Sequence, residues 1–237
     1  MLLALHLMSM LAQKGRSMHS LKQTMEEFIG HKAFPCVGAK TALSRAQIEV
    51  FEGHSLLDTD DDEDLLRSLQ TYIQNCRDDD SGFRSFVAIF PDTPSLSEEK
   101  FESALWQKLN SLHQLDDAPW DPAVSDDPDD NDFSFSLGGK AFYIVGMHPA
   151  ASRPARRFRH PALVFNLHEQ FERLRADGRY HTMRQIIRRR DHALAGSVNP
   201  MLLDFGTRSE AIQYSGRAIE GAWSCPFHPK KVNDHVQ

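Results

Sequence analysis

Two short apolar runs constrain this chain more than anything else in it: Ala141-Phe142-Tyr143-Ile144-Val145 and Ala162-Leu163-Val164-Phe165. Their length and their β-branched and aromatic content predict two buried strands. Between them lies a polar connection, Gly146 to Phe158, with one histidine, two prolines and three arginines. Pro149 and Pro154 fix their own φ and bias His148 and Arg153 toward extended backbone. Rigid polar connections between core strands are where function tends to sit.

Further elements follow on both sides. Leu21, Met25 and Phe28 fall at helical spacing between Ser20 and His31. Pro35 makes the next segment extended or turning, with one short helical turn at Thr41 to Ser44. Ala46 to Phe51 and Arg84 to Phe90 read as strands. Glu63 to Cys76 reads as a helix opened by the acidic run Asp58 to Asp64, which suits the positive end of the macrodipole. Ser97 caps a helix whose apolar face includes Phe101, Leu105, Trp106, Leu109 and Leu112. Asp116 to Asp132 is rich in Asp and Pro, and reads as a disordered insertion or a surface loop over a pocket. Phe133 to Leu137 alternates, and Gly138-Gly139 is a hairpin signal. Asn166 starts a helix closed by Gly178, and Tyr180 to Leu194 is another, with Met183, Ile186 and Ile187 inward and Arg184, Arg188, Arg189 and Arg190 mostly outward. Interleaved strands and helices with hairpins predict an α+β class: a single domain with a mixed or antiparallel sheet flanked by helices. We place an N-terminal extension at residues 1–19, the domain at 20–228 with the acidic loop 116–132 inside it, and a tail at 229–237.

At 237 residues, with 41% hydrophobic and 25% charged residues, the chain has ample material for a core. The net charge of −6 hides an asymmetry: residues 1–132 carry 25 acidic and 11 basic side chains, residues 133–237 carry 8 and 16. The basic part suits an anionic ligand, such as a phosphate, a nucleic acid or a carboxylate-bearing cofactor. Three cysteines, an odd and sparse count, argue against a disulfide-stapled secreted domain and for a cytoplasmic protein. The apolar start Met1 to Met8 lacks the basic flank and cleavage site of a signal peptide and reads as a helical extension. No run is long enough to span a membrane.

Several residues stand out chemically. His148 leaves a buried strand on a restricted backbone, and a neutral imidazole there suits an axial iron ligand. His54 and His168 are alternatives. Arg153, Arg156 and Arg157 offer planar forks for carboxylates: a haem's propionates if His148 holds iron, a phosphate or nucleic acid if it does not. The absence of interleaved aromatic residues and the acidic overall balance count against nucleic acid. Phe34-Pro35-Cys36 and Cys225-Pro226-Phe227 are mirror images that can meet across the domain. Each cysteine reads as a small buried hydrophobe, with a thiolate iron ligand the chemical alternative. Glu169, Asp204 and Glu210 are carboxylates in a basic part, able to hold a guanidinium or to serve as salt-bridge partners.

The mirrored tripeptides, with His148-Pro149 and Ser152-Arg153 between them, resemble the YqcI/YcgG family of FPC/CPF-motif proteins. The likeness extends through Leu163 to Glu172, Asn199-Pro200, Asp204-Phe205-Gly206, Glu210-Ala211 and Gln213 to Arg217, covering residues 20–228. The family's motif positions here are Cys36, His148, Ser152, Arg153, Asn166, His168, Glu169, Asp204, Glu210, Arg217 and Cys225. The resemblance implies a haem b-dependent oxygenase that hydroxylates a nitrogen of a small guanidine or amine, using O₂ and an external electron donor. On that expectation His148 ligates iron; Ser152, Arg153, Arg156 and Arg157 hold the haem; and Glu169, Asp204 and Glu210 hold the substrate. A homodimer is compatible with it. The alternatives are a haem-binding or haem-sensing protein without turnover, and an anion- or nucleic-acid-binding module using the arginine-rich part.

Overall fold

The computed structural model describes residues 20–77, 82–199, 209–219 and 221–230. Five strands form one mixed sheet in the order β1-β2-β5-β4-β3. They are β1 (Ile48–Glu52), β2 (Ser85–Ile89), β3 (Phe135–Leu137), β4 (Lys140–Met147) and β5 (Ala162–Leu167). β1 and β2 are parallel, joined through helix α3 (Asp62–Arg77); every other pairing is antiparallel. The class is therefore α+β, as the interleaving predicts.

The three inner strands are buried on both faces, and the period of two sorts their side chains. Phe86, Ala88, Leu163, Phe165, Phe142 and Ile144 point to one side. There α3 and α4 (Glu98–Leu115) cover them with Leu65, Leu69, Tyr72, Phe101, Leu105 and Trp106. Val87, Ile89, Ala162, Val164 and Met147 point to the other side, against Met25 and Ile29 of α1 (Leu21–Gly30), Ala42 of α2 (Val37–Ser44), Phe34 and Phe158. Two further helices, α5 (His168–Ala176) and α6 (Tyr180–Ala195), follow β5.

Local chemistry explains the element ends. Ser20 and Gln23 make a capping box at the start of α1. Ser97 accepts the Lys100 N–H at the start of α4. Helix α2 is longer than the single turn expected, because the Cys36 thiol caps it by accepting the Ala39 N–H at 3.4 Å. β5 runs on to Leu167, where a helix was expected from Asn166, because Asn166 pairs with Tyr143 in the ladder.

The acidic stretch 116–132 is folded, contrary to the expectation of a disordered insertion. Its carboxylates work on the backbone. Asp116 accepts the Gly138 N–H at 2.7 Å, and Asp121 accepts the Ala141 N–H at 2.9 Å, so both grip the β3–β4 hairpin. Asp121, Asp127 and Asp130 also accept N–H groups two residues on, as Asx turns do. Trp120 packs among Phe133, Phe135 and Phe227.

The two tripeptides lie on opposite sides of the sheet. Cys36 packs with the α1–α2 layer and Cys225 with the α3–α4 layer, so they do not meet and both are free thiols. Cys225-Pro226-Phe227 acts as a plug. Asn110 of α4 holds it by donating to the Pro226 carbonyl and accepting the His228 N–H. Phe227 then fills a nest of Trp106, His113, Trp120, Phe133 and Phe135. Replacing Phe227 by Ala should therefore cost about 3–5 kcal/mol of stability, read as a lower urea midpoint at unchanged m-value.

Candidate functional site

On the α1–α2 side, the helices do not fill the space above the sheet. A cavity of about 270 Å³ remains, just below the ~300–1,000 Å³ typical of small-molecule sites. Its floor is the sheet: Ser85 and Val87 from β2, Tyr143, Val145 and Met147 from β4, Val164 and Asn166 from β5. All belong to one parity of their strands. His168 continues the β5 alternation into the first residue of α5 and lines the cavity too. Phe34, Pro35, Cys36 and α2 form one wall. Tyr180, Met183, Arg184, Ile187 and Arg188, spaced i, i+3, i+4, i+7 and i+8 on α6, form another.

The polar groups on these walls have distinct states. Cys36 sits at the start of α2, where its thiol meets the Ala39 N–H. Burial raises its pKa, opposed by the helix-start amides and by Arg156. Burial lowers the pKa of His168, so its imidazole is neutral at pH 7. Arg156 is buried, yet its guanidinium donates to three main-chain carbonyls, those of Gly146, Tyr214 and Gln213, each at 3.0 Å. Glu210 is 6% exposed. Its Oε1 accepts from Ser134 Oγ at 2.6 Å and Tyr214 Oη at 2.8 Å. Burial outweighs these donors and pushes its carboxyl up to about 7. Tyr143 donates to Gln213 Oε1 at 3.0 Å on the same wall.

The structure redistributes the residues singled out from sequence. His148 does not reach the cavity. Met147 takes the cavity side of β4, so the next residue turns to the opposite face. There the His148 ring, 1% exposed, stacks on Phe101 at 4.3 Å. Its Nδ1 has no hydrogen-bond partner among the described residues, and burial lowers its pKa. The expectation that His148 ligates iron therefore finds its ring packed on Phe101, on the face of the sheet opposite the cavity. Ser152 is exposed, its N–H donating to Glu98. Arg153 pairs with Asp191 of α6. Arg157 folds back on the carbonyls of Ala151 and Ser152. Of that connection's predicted cofactor-holding residues, Arg156 alone is on the cavity wall. Glu169 pairs with Lys140 and stays partly exposed, away from the cavity. Glu210 is on the wall, and Asp204 lies outside the described residues. His54 pairs with Asp61 at the far end of β1. Arg217 pairs with Glu102 of α4.

Sequence reading missed Tyr143, Gln213, Arg175, Arg184 and Arg188 as cavity residues. The helical spacing of Tyr180, Met183, Arg184, Ile187 and Arg188 was a usable signal, masked by the assumption that arginines face water. Among the described residues no group of three or more His, Cys, Asp or Glu side chains is placed to hold a bare metal ion.

Fold and site together define an α+β domain with a mostly apolar, arginine-flanked cavity on one face of its sheet. The chain belongs to the YqcI/YcgG family, whose model matches residues 25–228. It is 28% identical over 220 residues to the uncharacterized protein YqcI of Bacillus subtilis (strain 168), covering 87% of this chain and 86% of that one. No solved structure matches it. No helix among the described residues is long and apolar enough to cross a membrane.

The raised carboxyl of Glu210 links folding to pH. The native state holds a proton that the unfolded chain releases near pH 4.5, so stability falls as pH rises from there to about 7 and then levels. Glu210→Gln should remove that slope, worth up to ~3 kcal/mol, in urea denaturation followed from pH 4.5 to 8.

Proposed function

We propose that this protein is a haem-dependent oxygenase acting on a nitrogen of a small guanidine or amine. The observation supporting this reading is the donor set of the cavity. Cys36 stands at a helix start, where the amides and Arg156 oppose the burial that raises its thiol pKa, and deprotonated on binding iron its thiolate would be a strong ligand for haem. Val87, Val145, Met147 and Val164 give the sheet floor an apolar centre suited to a porphyrin face. Arg175, Arg184 and Arg188 line the cavity from α5 and α6 and suit two propionates. Haem b would be held by Cys36 and these arginines, with His168 as the neutral imidazole of the same cavity. When bound it supplies O₂ activation with electrons from an external donor.

The arginine-rich wall suits a carboxylate-bearing cofactor. Four guanidinium groups, Arg156, Arg175, Arg184 and Arg188, line the cavity with one carboxyl, Glu210; Arg175 is paired with Glu172 and Arg156 with three carbonyls. Propionates would add charge-assisted contacts to that wall, and Glu210 is able to accept a guanidinium or ammonium group. Ser134 and Tyr214 fix the orientation of that carboxyl. Gln213, held by Tyr143, offers a further polar contact. Cation binding requires Glu210 ionised, so affinity should rise with pH through about 7.

The same excess of arginine supports a second reading, an anion-binding protein without turnover. Spectroscopy separates the two. Protein produced with added haem precursor should show a Soret band that Cys36→Ala abolishes or shifts and that His148→Ala leaves in place. A wild type that stays colourless after haemin reconstitution would sink the oxygenase reading. With haem bound, small guanidines should perturb the band, more tightly at pH 8 than at pH 6, and Glu210→Gln should weaken that binding at least about tenfold.

A further inference from the structure

We propose that residues 226–230 form a pH-operated strap, which His113 of α4 holds shut while its imidazole is neutral and releases when the ring takes up a proton. The device lies on the solid side of the sheet and works whatever the cavity binds.

The fastening follows from two periods. The strap contains no helix or turn, and Pro226 and Pro229 fix their own φ and bias Cys225 and His228 toward extended backbone. The N–H groups of His228 and Lys230 are two residues apart, so they point to one side of such a chain. Asn110 and His113 are three residues apart on α4, so they share a helix face. Asn110 Oδ1 accepts the His228 N–H at 2.9 Å, and His113 Nε2 accepts the Lys230 N–H at 3.1 Å. The Lys230 ammonium adds a bond to the Asp116 carbonyl. Phe227, in the same strap, packs 5.1 Å from the His113 ring.

The two acceptors on α4 differ in one respect. An asparagine amide accepts at every pH, whereas an imidazole nitrogen accepts only while it carries no proton. The closed strap therefore needs the tautomer with its proton on Nδ1, and a second proton on Nε2 would set one N–H against another. The charges around the ring act both ways. Among the described residues, the Lys230 ammonium and the Asp116 carboxylate face it, and Trp120 and Phe227 are its uncharged neighbours. Asp116 favours the charged ring, and so does the C-terminal end of α4, where His113 stands. Asp116, however, already accepts the Gly138 and Ala118 N–H groups. Burial and Lys230 prevail and hold the ring's pKa below its ordinary 6.5. Once the strap is off, the ring binds its proton more readily. The latch is thus at full strength above about pH 6.5 and weakens as pH falls through and below it. Its opening loosens the aromatic nest of Phe227 from the strap side.

The test uses the whole protein without added ligand, at pH 8 and pH 5.5. Residue-resolved hydrogen exchange by NMR, corrected for intrinsic rates, reports the strap, and the His113 ring resonances report its proton. In the wild type, the His228 and Lys230 amides should lose at least about threefold in protection at pH 5.5. The β5 amides should keep or gain theirs, because protonation of Glu210 stabilises the body over the same range. The His113 ring should titrate below 6.5. His113→Gln keeps an acceptor that does not titrate, and should hold the strap equally at both pH values. His113→Phe keeps a ring without an acceptor, and should leave the strap loose at both. Equal strap protection at the two pH values in the wild type would overturn the proposal. So would a His113 ring that titrates at or above 6.5, or a pH dependence that survives in His113→Gln. Should either variant fail to fold, the wild-type exchange and ring titration decide.

Discussion

The inner strands β2, β5 and β4 carry apolar side chains on both faces, so the sheet is stable only between two covering layers. On one side α3 and α4 complete a continuous core around Trp106 and the aromatic ring of residues about Phe227. On the other side α1 and α2 cover only part of the sheet, and the remainder opens into the cavity. One physical requirement, burial on both faces, therefore yields a solid half and a hollow half. The hollow half is where chemistry can be placed.

The boundary between the halves is held by a charge. Arg156 is buried, a costly position for a guanidinium, and it is tolerated because three carbonyls accept its protons. Two of those carbonyls belong to the 213–214 segment and the third to β4, so the side chain staples the late segment onto the sheet. Gly216, at φ 81°, lets the backbone pass against the arginine stem, which lies 3.3–3.4 Å from where a Cβ would project. Glu210 is delivered to the cavity by that same segment. The proton-holding carboxyl and the fixed cation are therefore positioned by one interaction.

The charged groups of the cavity are likewise assembled from a distance. Its arginines come from three separate elements, the 154–156 turn, α5 and α6, while its one carboxyl, Glu210, is held by Ser134 and Tyr214.

The α+β class and most strands and helices follow from pattern alone, because hydrophobic period and capping residues are local properties, while the family was legible in the resemblance of its motifs. The Asp-rich stretch misled for a physical reason: its side chains bind backbone amides of a hairpin that composition cannot reveal. Residue-level placement of the site was less legible. Ser152, Arg153 and Arg157 share a connection with Arg156, yet one step in backbone direction separates a cavity residue from a surface one. His148 shows the limit most plainly, since a single position beyond Met147 sends it to the opposite face. Sequence by itself determined which segments must be strands, which helices, and that arginine would gather in the second part. Tertiary structure alone decided that Cys36, His168, Arg156, Arg184 and Glu210 share one cavity, because strand parity and the packing of distant segments, rather than sequence proximity, set which side chains face it.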